Sequence, residues 1–142
     1  MDMYLYCLIS SSYDLFVKTI IDYLKEQLGE NVDYQSDYID GIDYVGCSLF
    51  CMYIESPYKY VECDLQFTKD EYDIETDVSV FINLYTATIK PGIDVIGGLV
   101  GNIENKLNCN IIVQDHASKA VYLKSLDKKY IDHFFWDNMR DV

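Results

Sequence analysis

Apolar positions recur along this chain with two periods, and the switching between them outlines a fold. Met3 to Ile9 (MYLYCLI) is a short apolar and aromatic run that reads as a strand. Ser11, Ser12 and Asp14 then offer capping groups, and Leu15, Phe16, Ile20, Tyr23, Leu24 and Leu28 return at helical spacing up to Gly29. Tyr44 to Glu55 (YVGCSLFCMYIE) and Tyr58 to Phe67 (YKYVECDLQF) flank a Ser56-Pro57 break. The second of these alternates between a polar side and an apolar one, which predicts a half-exposed antiparallel hairpin. Val78 to Tyr85 (VSVFINLY) predicts a further strand. Pro91 and Gly92 open a segment whose Ile93, Ile96, Leu99, Val100, Ile103 and Leu107 follow a helix. Asn110 to Gln114 reads as a strand, Val121 to Leu123 as another, and Lys128 to Trp136 as a short helix.

This order predicts an α+β (mixed α/β) fold: an antiparallel-rich central sheet of about five to six strands, two main helices and a short C-terminal helix, with the helices on one face. No linker, low-complexity tract or fixed-period repeat interrupts the chain, so a single domain over residues 1–142 is expected. Half the residues are apolar and 15% aromatic, which supports a packed core despite a formal charge of -13. Apolar runs end well short of the roughly 20 residues that cross a bilayer, and MDMYLYCLIS lacks a basic stretch of the kind that opens an export signal. A cytoplasmic protein with no membrane partner is the expectation. Cys7, Cys47, Cys51, Cys63 and Cys109 are odd in number and lack C-x-x-C spacing, as reduced thiols in a cytosol would.

The charge is unevenly spread. Residues 30–77 hold thirteen acids against Lys59 and Lys69, a net of -11, whereas residues 78–142 balance seven acids with seven bases. Two stretches dominate, DYQSDYIDGIDY at residues 33–44 and KDEYDIETD at residues 69–77. Crowding like charges costs self-repulsion, which a cationic partner converts into attraction. A single arginine and no basic stripe argue against direct nucleic-acid binding.

Other motifs carry little chemistry. Placing Gly41 at the sixth position of a calcium loop puts Cys47 where a bidentate glutamate belongs, so the register fails and no metal is expected. GGLVG, residues 97–101, lacks the Lys-Ser/Thr of a phosphate loop and reads as close packing through Gly97 and Gly101. Asp115-His116 with Ser118 is the nearest thing to a catalytic set, but neighbours on a strand point to opposite faces and no G-x-S-x-G elbow accompanies them. No catalytic residue and no cofactor is assigned.

Fourteen tyrosines remain, seven of them in or beside the acidic third: Tyr34, Tyr38, Tyr44, Tyr53, Tyr58, Tyr60 and Tyr72. Tyrosine gives contact area and a hydroxyl at small entropic cost, and surrounding acids steer a basic protein into place. The expected partner-binding residues are Asp33, Asp37, Asp40, Asp43, Asp70, Glu71, Asp73, Glu75 and Asp77, with Tyr38, Tyr44 and Tyr72 as anchors. In size, charge and these two segments, the chain resembles the immunity proteins of bacterial toxin systems, including those of contact-dependent growth inhibition. That resemblance implies a cognate toxin, often a basic nuclease, bound so that its active site is blocked. Two other readings stand beside it: a phage-type nucleic-acid mimic such as an anti-CRISPR protein, and a small hydrolase using His116.

Overall fold

A computed structural model of the chain describes residues 3–29, 31–39, 41–55 and 62–139. Among them run β1 (Met3–Ile9), α1 (Tyr13–Leu28), β2 (Asp33–Ile39), β3 (Ile42–Gly46), β4 (Phe50–Glu55), α2 (Glu62–Tyr72), β5 (Val78–Leu84), α3 (Ile89–Leu107), β6 (Ile111–Gln114), β7 (Ala120–Lys124), β8 (Lys129–Ile131) and α4 (His133–Met139). The strands form one antiparallel sheet in the order β2-β3-β4-β5-β1-β6-β7-β8. The α+β class stands as expected, with eight strands and four helices in place of five or six and three.

The two long helices start and stop where their end residues dictate. Ser12 Oγ accepts the Leu15 N–H at 3.4 Å to begin α1, and Gly29, at φ 70, ends it. Helix α3 begins before Pro91, whose missing N–H costs nothing in a first turn, and stops at a left-handed Asn108. Both helices lie on one face of the sheet. There Phe16, Ile20 and Leu24 of α1 and Ile93, Ile96 and Ile103 of α3 meet Leu5, Met52, Ile54 and Val80 in a continuous core, every one at most 1% exposed. The close approach of the helices uses Gly98, over which the Tyr23 hydroxyl sits; a Cβ at Gly101 would meet nothing. Packing is therefore the role of the glycine segment, through its middle glycine.

Three segments depart from the sequence reading. The stretch expected as a second hairpin strand, Tyr58 to Phe67, lies outside the described residues up to residue 61 and thereafter belongs to α2. Five alternating positions are too few to separate the two periods, and Glu, Leu, Gln and Lys in this run favour a helix. Tyr44 to Glu55 is two strands, parted at a bend where the Cys47 N–H donates to Phe50 O at 3.0 Å. Lys128 to Trp136 divides into β8 and α4, because Asp132 caps the helix by accepting the Phe135 N–H on Oδ1 at 3.1 Å. Nor are the helices all on one face: residues Tyr72 and Ile74, at and just beyond the end of α2, pack with Leu8 and Ile112 on the opposite side.

One polar cluster ties α3 to the sheet's last strands. Glu104 accepts from the Tyr122 hydroxyl and from Lys129 Nζ, the latter at 3.2 Å. The Tyr122 hydrogen bond, with help from Lys129, holds the Glu104 carboxyl below the usual carboxylate range, while burial and then the carboxylate itself push the Tyr122 phenol up. A carboxyl depressed by folding contributes stability above its unfolded pKa, and that contribution fades as pH falls through the depressed value. Glu104→Gln should thus cost about 1 kcal/mol at pH 7 in denaturant titrations, with the gap to the parent narrowing as pH is lowered. Phe16→Ala, which empties the centre of the core, should cost roughly 3–5 kcal/mol in the same assay with an unchanged denaturant slope.

Candidate functional site

A strand sends alternate side chains to opposite faces, so the register that buries Leu5, Met52 and Val80 also decides what the other face shows. Tyr44 pairs with Tyr53, Tyr53 with Phe81, Phe81 with Tyr6, and Tyr6 with Gln114. The result is one row of rings across the sheet. Ring centroids lie 5.6 Å apart for Tyr44 and Tyr53, 6.3 Å for Tyr53 and Phe81, and 5.1 Å for Tyr6 and Phe81. Tyr38 extends the row from β2, 5.2 Å from Tyr44, and Tyr4 joins diagonally, 5.0 Å from Phe81. From β2 to β1 the row crosses four strand spacings, or about 19 Å. Tyr4, Tyr6 and Tyr38 are 39%, 36% and 47% exposed, so the row lies open. Burial, with Cys51 nearby, raises the Tyr44 and Tyr53 phenols above their ordinary range, and these rings face solvent as neutral hydroxyls.

The two acidic segments flank this row. The described residues of DYQSDYIDGIDY form the β2–β3 hairpin, with Ile39 opposite Ile42 and Gly41 at φ 77. Asp40 itself lies outside the described residues. Asp-Gly between two isoleucines is a strong hairpin signal. Two of the predicted partner-binding acids hold this hairpin together. Asp43 points to the helix-covered face, is buried, and accepts from the Tyr34 hydroxyl at 3.1 Å and from the Asp37 N–H at 2.8 Å. Asp37 sits in the left-handed region at φ 53, where a bulge shifts the register, and its Oδ1 accepts the Gly41 N–H at 3.1 Å. Asp33 is exposed and belongs to the open face, opposite Gly46.

The second segment lies on the same face but over β1 and β6, about five strand spacings or ~24 Å from β2. Tyr72 is half-buried; its ring meets Phe67 edge-on at 6.3 Å, and its hydroxyl accepts from Gln114 Nε2 at 3.2 Å. Asp70 and Glu71 are exposed, Asp70 accepting from Gln66 at 2.9 Å. Asp73 turns the chain at φ 55, Glu75 pairs with Lys69 at 3.5 Å, and Asp77 Oδ1 accepts the Ser11 N–H at 2.9 Å. Lys128 Nζ donates to Tyr72 O at 2.9 Å. The predicted residues that the structure describes therefore do not form one patch. They form an acidic hairpin and a partly neutralised segment, joined by aromatic residues that the sequence reading had in part assigned elsewhere: Tyr4, Tyr6, Tyr53 and Phe81.

Between the second segment and the sheet lies a cleft of about 600 Å³, lined by Tyr6, Leu8, Glu55, Phe67, Ser79, Gln114, His116 and Ser118. His116 is exposed, and Asp115 does not orient it through Oδ1, which accepts the Ala117 and Lys119 N–H groups at 2.9 Å each. Asp115 is the cap of its own turn. Cys7, Cys47, Cys51 and Cys109 are free thiols; burial pushes Cys7 up to about 12 and Cys109 up to about 11, far from a nucleophile's range. Among the described residues no cluster of His, Cys, Asp and Glu is arranged to hold a metal, and no helix is long and apolar enough to cross a membrane. No family model, no curated protein and no solved structure matches the chain.

The split between structural and surface acids can be measured. Asp43→Ala removes the buried acceptor of the Tyr34 hydroxyl and of the Asp37 N–H, and should cost about 1–3 kcal/mol in denaturant titrations. Asp33→Ala, on the exposed edge, should change stability by less than about 0.5 kcal/mol.

Proposed function

We propose that the protein is a binder that neutralises a basic partner, in the manner of the immunity proteins of bacterial toxin systems, and that it docks with the open face of its sheet. The observation that carries this reading is the aromatic row: tyrosines and a phenylalanine aligned across five strands on a face that the two long helices leave uncovered. Exposed aromatic surface of this extent is characteristic of interfaces, where large, stiff side chains supply contact area. Acids at both ends of the row, Asp33 on one side and Asp70 and Glu71 on the other, add a field that speeds association with a cationic surface. Such a mechanism needs no cofactor: the partner's active site or substrate channel is occluded by the bound face.

The test begins with immobilised protein and a lysate of the source organism, at low and at high salt, with retained proteins identified by mass spectrometry. A basic protein held at low salt is expected, and the purified pair should show loss of that protein's activity at one-to-one stoichiometry. Reversal of the exposed acids together (Asp33→Lys, Asp70→Lys, Glu71→Lys) should slow association by about tenfold or more at low salt with little effect on dissociation. Tyr53→Ala should do the opposite and raise the dissociation rate. A partner bound equally well by both variants would remove this face from the mechanism.

A further inference from the structure

An open antiparallel sheet has two edges, and at each the outermost strand turns alternate N–H and C=O groups away from its neighbour. Among the described residues the outermost strands are β2 and β8. β8 is blunted: it has three residues, Lys129–Ile131, and its first lysine is tied to Glu104 at 3.2 Å. β2 is seven residues long, contains neither lysine nor proline, and is exposed at every position. Its pairing with β3 is regular over residues 33–35, before the bulge, and resumes where Ile39 meets Ile42. Both faces beside this edge have features a neighbouring strand could use. On the open face stand Asp33 and Gln35, opposite Gly46 and Tyr44, and Tyr38 ends the aromatic row 5.2 Å from Tyr44. On the helix side a cleft of about 390 Å³ lies between β2 and α1, with Tyr13, Asp14, Val17, Ile21, Tyr34 and Ser36 among its lining residues.

We infer that the β2 edge receives an extended, lysine- or arginine-bearing strand of the basic partner, which adds to the sheet alongside β2. The inference rests on the proposed role as a binder of a basic protein and names the element of that protein that is bound. Backbone hydrogen bonds at a strand edge are indifferent to sequence, so the choice of partner falls to side chains and charge. Residues 30–77 carry a net charge of -11, and a second copy of the chain would bring the same charge to the edge. The acids thus keep like edges apart and leave a cationic strand as the complement. An added strand sends alternate side chains to the two faces. One set lies beside Asp33 and Tyr38 and prolongs the aromatic row, so that edge and row form one continuous surface. The other set turns toward the cleft, where Val17 and Ile21 accept its apolar parts and Asp14 borders the opening. The row supplies contact area; the edge supplies direction and register.

The test uses the intact protein and a synthetic peptide of about eight residues that alternates lysine with threonine and is blocked at both ends, read by NMR titration and amide hydrogen exchange. Saturable millimolar binding is expected at low salt, with shifts concentrated in β2. Near saturation, the amides among residues 33–35 that face away from β3 should exchange about fivefold or more slowly. N-methylation through the middle of the peptide removes its backbone donors on both edges, keeps its charge, and should weaken binding about tenfold. A glutamate–threonine peptide should not bind. Asp33→Lys should weaken the lysine peptide about three- to tenfold and leave the spectrum of the fold intact, because Asp33 is exposed. Equal binding of the methylated and unmethylated peptides would reduce the interaction to bare charge attraction and overturn the inference, as would shifts confined to β8 or the aromatic row, or no binding at all. Self-association of the protein with protection of β2 would give the edge to a second copy and overturn it too. Failure here is separable from failure of the binder reading. A basic protein captured and inhibited while the β2 amides keep their exchange rates leaves the function standing without the added strand, and a peptide that pairs with β2 when no basic protein is captured leaves the edge standing without that function.

Discussion

The pleat of a single antiparallel sheet governs what this molecule can present. Each strand must divide its side chains between two faces, and two long helices cover only one of them. Once Leu5, Cys7 and Ile9 of β1 face the helices, Tyr4, Tyr6 and Leu8 face away, and the register carries that choice through β5, β4 and β3. A slip of one residue in any strand would send aliphatic side chains into water and rings into the core, so the buried face enforces the exposed one. Tyrosine suits the result: it favours strands, and its hydroxyl tolerates solvent where leucine would invite aggregation. Where the second face does acquire a cover, at Leu8 and Ile112, the aliphatic residues return beneath Tyr72 and Ile74.

The acids divide along the same lines. Asp43, Asp37, Asp77, Asp115 and Asp132 accept backbone N–H groups at a hairpin, a loop, a turn and a helix start, each replacing a hydrogen bond the chain could not otherwise make there. Asp33, Asp70 and Glu71 stand exposed beside the aromatic row, on either side of it, and none of them accepts a backbone N–H among the described residues. The net charge of -13 thus overstates the acidic surface available to a partner, because part of it does architectural service. In the proposed role, steering depends on far fewer carboxylates than the composition suggests.

How much of this was legible beforehand follows from the range of each interaction. Helices α1 and α3 were plain, because a 3.6-residue period over four or more turns is not imitated by anything shorter, and β1, β5 and β6 were plain as apolar runs. The β2–β3 hairpin hid because all seven residues of β2 are exposed, which removes the apolar alternation by which strands are found; only the Asp-Gly pair in the sequence betrayed it. Helix α2 hid behind an accidental alternation. The acidic segments were located correctly in sequence, but their separation by about five strands depends on strand order, and strand order is set by long-range pairing that no local pattern records. The aromatic row was invisible for the same reason. Tyr6, Phe81, Tyr53 and Tyr44 come from four segments, and only the register makes them neighbours.

That arrangement separates two physical tasks on one surface. The charges at the flanks act at a distance and are screened within about 8 Å at physiological ionic strength, so they bear on how fast a partner arrives. The rings act only in contact and are neutral, so salt leaves them largely untouched, and they bear on how slowly a partner leaves. A surface built of acids alone would lose its partner as salt rose, and one built of rings alone would collect partners without discrimination. With the rings placed between the acids, the proposed role has a cationic protein selected on approach and held by contact after arrival, and the sheet that carries both is kept in register by the buried core beneath it.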